Sequence, residues 1–297
     1  MDSLPVVDIG SGRLRDSSGV ILPAAKYNLA LNFYYDGNSS DNLEYGLNRS
    51  ASVHSRIVSS TSATRVTLIT GDMRSYGYDK VGTASGITTY SAVSGNGVTS
   101  SLSYNGINFT QFYSNGMQFV YSAQSTGANP VTLQLYKVVD ADGVTQSYTY
   151  GSGAEAGLLK SIQVPGGNLV TFTYAAGSPT SLLSSVQDWG GRLVTFQYDS
   201  SNNLTTYQSS TGCITKYRYT NTYGTKNLLS EYEDPRGYVT SYTYTGYGDG
   251  HGGLSTYIYT VKGASSVWTY TYFAQTSGAI YTGVNIVDNV GGVSTYA

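Results

Sequence analysis

The chain has two imidazoles, His54 within Ser52-Val53-His54-Ser55-Arg56 and His251 within the glycine-rich stretch Gly248-Asp249-Gly250-His251-Gly252-Gly253. Neither has a second His or a Cys at metal-ligand spacing, so a zinc centre is not expected. Serine is abundant enough for a Ser-His-Asp set to be drawn on paper, but no Gly-x-Ser-x-Gly elbow is present to raise a nucleophile. Asp140-Ala141-Asp142-Gly143 and Asp249-Gly250 offer oxygens to a calcium ion without the five or six ligands of a regular loop, and turn formation accounts for them. Cys213 follows Gly212 and precedes Ile214; it has no disulfide partner in the chain, and the expectation is a small buried thiol. Both histidines read as structural. The expectation is therefore no catalysis, no metal and no cofactor.

The surroundings of these residues are unusual for a soluble domain. Only 11% of the 297 residues are charged, less than half of the usual share of about 25%. With 16 basic and 18 acidic residues the net charge is -2, which excludes the cationic field that phosphate backbones require, so nucleic acid is not an expected partner. Hydrophobic residues make up 40% and aromatic residues 13%, enough apolar surface to offset chain entropy. The longest apolar stretches, such as Val20-Ile21-Leu22 and 133–139, fall well short of the roughly 20 residues needed to span a bilayer. The first ten residues, MDSLPVVDIG, lack the pattern of a signal peptide. Abundant Ser, Thr, Tyr and Gly with few Lys suits an extracellular or cell-surface β protein. Asn-x-Ser/Thr triplets start at Asn38, Asn48, Asn108 and Asn203, as chance produces in so Ser- and Thr-rich a chain.

From residue 137 one pattern recurs: a Gly, an aromatic five positions later, and usually a Tyr two beyond. The copies are Gly143-Tyr148-Tyr150, Gly167-Phe172-Tyr174, Gly191-Phe196-Tyr198, Gly212-Tyr217-Tyr219, Gly237-Tyr242-Tyr244 and Gly263-Trp268-Tyr270, with a seventh starting at Gly291-Tyr296. Successive glycines are 24, 24, 21, 25, 26 and 28 residues apart. Alternation in Val170-Thr171-Phe172-Thr173-Tyr174 predicts a strand with one buried face. Pairs ending in Gly, such as Asp142-Gly143 and Gly190-Gly191, predict tight hairpin loops. Second strands are expected at 158–164, 182–189 and 228–234. Each repeat is thus two antiparallel strands and two turns. No repeat buries its aromatic face alone, so the array must curl around an interior or pack on another layer. The aromatic stripe is either core or a carbohydrate-binding groove.

Residues 1–136 are strand-rich without the repeat. Leu29, Leu31, Phe33 and Tyr35 alternate up to the turn Asp36-Gly37; further strands are expected at 65–70, 100–104, 108–113 and 117–121, with turns at Gly71-Asp72, Asn105-Gly106 and Asn115-Gly116. No amphipathic helix is evident. The chain divides into a lead-in, 1–136, and about six and a half repeats, 137–297, the last one cut short.

At these residues the sequence resembles the YD-repeat, or Rhs (rearrangement hotspot), family. The nearest copy runs from Val186-Gln187-Asp188-Trp189-Gly190-Gly191 to Phe196-Gln197-Tyr198-Asp199, and Glu233-Asp234-Pro235-Arg236-Gly237 with Tyr242 and Tyr244 is another. Most copies lack the Asp of the Tyr-Asp ending, so the array is divergent. The resemblance implies an all-β antiparallel sheet spiralling into a shell or tube. In toxin-associated members such a shell encloses an effector released by an Asp-Pro-containing self-cleaving region; Asp234-Pro235 occupies an ordinary turn slot instead. The expected role is a non-enzymatic scaffold of an extracellular or cell-surface assembly, self-associating through open strand edges. Its partners are then other copies of itself or the remainder of a longer repeat chain. The alternatives are a piece of a toxin-enclosing shell and a module that binds glycans.

Overall fold

A computed structural model describes residues 6–8, 13–22, 29–37, 39, 42–59, 64–95, 97–123, 131–175, 181–222, 226–248, 254–262, 267–273, 283–288 and 290–296. Among them the only helical piece is one 3₁₀ turn, Gly153–Glu155; everything else regular is β-strand, and the pairings between strands are antiparallel. The chain is all-β, as its alternation requires.

Turn chemistry defines the repeat. Asp188 Oδ1 accepts the N–H groups of Gly190 and Arg192, and Asp234 Oδ1 those of Arg236 and Tyr238. Asp140 and Asp288 repeat the arrangement. The Gly N–H then closes a β-turn onto the Asp carbonyl, as Gly191 does on Asp188 at 3.0 Å. Gly191 sits at φ 78° and Gly237 at φ 83°, a region that costs a side chain energy. These loops are three residues long, a turn followed by a left-handed glycine, rather than the tighter two-residue loops that the Gly pairs suggested. At the Asp199 turn Asn202, at φ 65°, takes the place that glycine holds elsewhere, three residues after the Asp.

The first five repeats also hold a β-bulge that simple alternation does not announce, while 267–273 pairs with 283–287 without one. The register slips between Thr149 and Tyr150, Thr173 and Tyr174, Gln197 and Tyr198, Arg218 and Tyr219, and Thr243 and Tyr244. The extra residue lies on the partner strand, so its inward residues stand three apart: Leu159 and Ile162, Leu183 and Val186, Leu204 and Tyr207, Leu229 and Tyr232 are all buried. On the turn side, the ladder stops after three pairs, as from Gln163↔Leu169 to Ser161↔Thr171. The second Tyr of the motif closes the parted strands. The hydroxyls of Tyr150, Tyr174, Tyr219 and Tyr244 donate to the carbonyls of Leu135, Leu159, Leu204 and Leu229, at 2.6 to 2.8 Å and always fifteen residues upstream.

Eight strands of the first half form a closed ring: Arg56–Ser59, Arg65–Ile69, Ser75–Ala84, Ile87–Ala92, Ser101–Tyr104, Asn108–Phe112, Gln118–Ala123 and Val131–Val139. Val131–Val139 closes it and also opens the array. One edge pairs with Gln118–Ala123. The other is divided: 131–134 pairs with Arg56–Ser59, while 137–139 pairs with Thr145–Tyr150. Residue 136 thus lies inside a strand shared by both halves. Beyond it the sheet continues strand by strand to Val293–Tyr296, as a wall leaving a closed ring.

The inner side of that wall is covered. A four-stranded sheet of Val6–Asp8, Arg13–Leu22, Leu29–Asp36 and Arg49–Ala51 supplies the second layer. Leu29, Leu31, Phe33 and Tyr35 are buried on one face of their strand. Phe33 lies 5.0 Å from Phe196 between ring centroids, and Tyr35 6.4 Å from Tyr219.

Replacing Phe196 with Ser removes buried aromatic volume and inserts a hydroxyl, so it is expected to destabilise the fold by about 3 kcal/mol more than Thr195→Ser. Tyr174→Phe, which deletes only the staple to Leu159, is expected to cost about 1 kcal/mol. Denaturant titration measures both; equal losses for Phe196→Ser and Thr195→Ser would reverse the face assignment.

Candidate functional site

Polar chemistry concentrates where residues 42–55 meet the inner face of the repeats. Glu44 and His54 are both nearly enclosed, and His54 Nδ1 lies 2.9 Å from Glu44 Oε1. The ring of Tyr45 stands edge-on to His54 at 5.6 Å. Burial works to raise the Glu44 pKa, but the charge and hydrogen bond of His54 outweigh it and hold the carboxyl below its usual range. Burial pushes the phenols of Tyr45, Tyr150 and Tyr174 up, and the Glu44 charge pushes the same way. None of these hydroxyls ionises near neutral pH, so each is a hydrogen-bonding group and not a base.

Arg49 is the most deeply placed cation among the described residues, 1% exposed. Its guanidinium lies over the Tyr217 ring at 4.4 Å and the Tyr35 ring at 5.2 Å, and it donates to the Tyr219 hydroxyl. Arginine suits this slot because its flat, weakly hydrated head stacks on aromatic faces.

The backbone completes the grip, and does so at the bulges. Leu183 N–H donates to the Glu44 carbonyl at 2.7 Å, and Leu229 N–H to the Tyr35 hydroxyl at 2.9 Å. Both leucines occupy the bulge position of their repeats. A third contact runs from Leu47 N–H to the Asn202 carbonyl at 2.9 Å, at the Asp199 turn. At this site aromatic rings and inward backbone donors of the repeats meet the segment 29–55, whose Arg49 stacks on the Tyr217 ring and donates to the Tyr219 hydroxyl.

The residues singled out in the sequence fall as follows. Tyr148, Phe172, Phe196, Tyr217 and Tyr242 are buried, and Tyr150, Tyr174, Tyr198, Tyr219 and Tyr244 are half-buried against them. In these five repeats the stripe is core, and its rings offer no platform for a sugar. Trp268 is 41% exposed. Gly143, Gly167, Gly191, Gly212, Gly237 and Gly291 all take positive φ at their turns. Gly263, Asp249, Gly250, His251 and Asn38 lie outside the described residues, as do the side chains of Tyr270 and Tyr296.

Cys213 corrects its expectation. It is exposed, because its turn projects from the wall and its N–H is bound by Ser209 Oγ. Asp234 is committed to its turn. Partial desolvation works to raise its pKa, yet Arg236 and the two turn N–H groups hold it below the usual range. Among the described residues no three His, Cys, Asp or Glu side chains gather into a metal-sized group. Asn48 and Asn203 are buried and inaccessible to glycosylation.

Alternation did not point to Glu44, Arg49 or the bulge leucines. The leucines had a signal in the spacing of three between apolar residues, while Glu44 and Arg49 had none, because their partners lie far away in the chain.

His54→Ala leaves an ionised carboxylate buried without its partner and is expected to cost about 3 kcal/mol at neutral pH. With His54 gone, burial is opposed only by the hydrogen bonds from Tyr45 and the Glu44 backbone, and the folded pKa of Glu44 is expected to rise. The deficit then shrinks as pH falls and the carboxyl is protonated. In the unsubstituted protein the folded pKa is depressed, so the Glu44 contribution persists above the glutamate range and disappears as pH falls through the lowered folded value. Thermal melts across pH 3 to 8 read both trends, on the order of one pKa unit per 1.4 kcal/mol; a pH-independent deficit would show that the pair does not act this way.

No protein-family model matches the chain, and no curated protein matches it in sequence. Among solved structures it is similar to that of TcdB2-TccC3, with TM-score 0.45, 11% identity, and coverage of 97% of this chain and 21% of that one. It is also similar to the N-terminal domain of effector protein SpvB from Salmonella typhimurium strain LT2, with TM-score 0.35, 13% identity, and coverage of 100% of this chain and 99% of that one. The chain therefore spans about a fifth of the first and nearly all of the second. Both likenesses are too remote to carry weight in the reading of the site.

Proposed function

We propose that the protein is a non-enzymatic scaffold of the YD-repeat kind, a β-wall whose inner face holds polypeptide. The observation that carries this reading is the grip on residues 29–55. Repeat aromatics and inward N–H groups of Leu183 and Leu229 converge on this enclosed segment, and its Arg49 reaches out to the Tyr217 ring and the Tyr219 hydroxyl of the repeats. Arrangement of charge supports it too: Glu44 is paired with His54 inside the enclosed segment, and Arg49 reaches across to the Tyr219 hydroxyl of the repeats.

Low charge suits an extracellular or cell-surface setting. Sparse lysine leaves strand edges little protected against pairing with further strands. Two assemblies follow from the same wall: copies joined edge to edge into a filament, or one stretch of a larger enclosure around an effector. The enclosed segment favours a wall that surrounds chain over a flat fibre.

Negative-stain microscopy across a concentration series separates them. Growth of filaments with concentration supports edge-to-edge assembly; isolated particles at every concentration remove it and leave the enclosing wall. For the grip itself, Arg49→Met keeps bulk but loses the cation. It is expected to make cleavage within residues 29–55 by a protease at least tenfold faster under native conditions, a change of about 1.4 kcal/mol in local opening. Unchanged cleavage would show that Arg49 does not anchor the enclosed segment to the repeats.

A further inference from the structure

Asn-Gly pairs occur at 96–97, 105–106 and 115–116, all within the stretch 81–136, which has no Asp, Glu, Lys, Arg or His. A glycine after asparagine leaves its backbone nitrogen unhindered by a side chain, so that nitrogen can attack the asparagine's own carboxamide. Asn96 lies outside the described residues. The other two pairs are exposed in hairpin turns of the eight-stranded ring, between 101–104 and 108–112 and between 108–112 and 118–123. The two turns prepare the same dipeptide in opposite ways.

At the first turn Asn105 Oδ1 accepts the N–H groups of Ile107 at 3.0 Å and Asn108 at 2.8 Å. The bond to Ile107 closes a small ring of atoms that contains both the carboxamide carbon of Asn105 and the nitrogen of Gly106. Two donors therefore already point at the oxygen on which negative charge collects when that carbon is attacked. No described residue accepts the Gly106 N–H. Nothing lies within 4 Å of the place a Cβ would take on Gly106, so the peptide has room to turn.

At the second turn the nucleophile is engaged. Gly116 N–H donates to the Tyr113 carbonyl at 3.0 Å. Asn115 Oδ1 accepts the N–H of Met117 alone among the described residues, at 3.1 Å. A Cβ on Gly116 would stand 2.9 Å from Ala141 Cβ, so this peptide is wedged against the neighbouring turn.

We propose that Asn105 is a site of self-modification by deamidation, and that the fold protects Asn115 from the same reaction. Gly106 N gives its proton to a base in solvent and bonds to Asn105 Cγ; the Cγ–Nδ2 bond breaks, and ammonia leaves with a proton drawn from water. The five-membered imide then takes up one water. Opening at Cγ yields aspartate, and opening at the main-chain carbonyl yields isoaspartate. Aspartate keeps a side-chain acceptor for the turn, as Asp188 and Asp234 do in the repeats. Isoaspartate adds a methylene to the main chain and spoils the turn's spacing. Either product places a negative charge in a stretch that has none.

The full chain, incubated folded at neutral and at mildly alkaline pH, is cut with chymotrypsin after Tyr104, Phe109, Tyr113 and Phe119 and weighed by mass spectrometry against an unincubated sample. Peptides 105–109 and 114–119 then read the two sites separately. The first is expected to gain one mass unit about tenfold faster than the second, a barrier difference of about 1.4 kcal/mol, and faster still as pH rises. In denaturant, with both turns gone, the two rates should converge. No conversion at Asn105, equal rates in the folded chain or faster conversion at Asn115 would overturn the assignment. So would a difference of the same size in denaturant, which would trace it to neighbouring residue types and not to the turn.

Discussion

Everything in this molecule answers to one constraint: each repeat makes a strand pair with aromatic rings on one side and no means of burying them by itself. An antiparallel pair is only marginally stable until its apolar face is covered. Stacking repeats lengthens that face without closing it. The chain meets the need with its own beginning, laying Leu29–Asp36 across the repeats so that Phe33 and Tyr35 interlock with Phe196 and Tyr219. The lead-in is thus both the start of the wall, through the ring, and the filling behind it.

The bulge is what makes such filling specific. By shifting one residue in each of the first four repeats, it brings a leucine and the second Tyr of the motif to the same level. A plain ladder would have spent each leucine N–H on its neighbour strand. In the bulged wall Leu183 and Leu229 turn theirs inward to the enclosed segment, and the tyrosine hydroxyls take up carbonyls where the ladder parts. The same irregularity therefore serves closure of the sheet and recognition of what lies behind it.

Scarce charge acquires a meaning in this setting. Few ionisable groups are spent inside, and those that are bridge the two layers or lie deep between them: Glu44 with His54, and Arg49 with Tyr217 and Tyr219. Others form cross-strand pairs on the outer surface, such as Lys216 with Glu233 and Arg218 with Glu231. Exposed pairs of this kind contribute little to stability, so the buried ones give the inner sheet its position while the aromatic contacts give it its strength.

All-β character, the positions of the glycine turns and the buried side of each strand were legible in the residues, because alternation and left-handed glycines are local consequences of local chemistry, although the loops proved one residue longer than the Gly pairs suggested. Val170 and Phe172 point inward for the same reason in any partner's company. What the residues could not state was which surface would meet those rings. Leu29 to Tyr35 read as an alternating strand and nothing more, and Cys213 read as buried although its turn faces water. Pairings such as Arg49 with Tyr219 span 170 positions, and no period or spacing encodes them. Tertiary structure decided them, since burial is a property of two surfaces and a linear pattern describes only one.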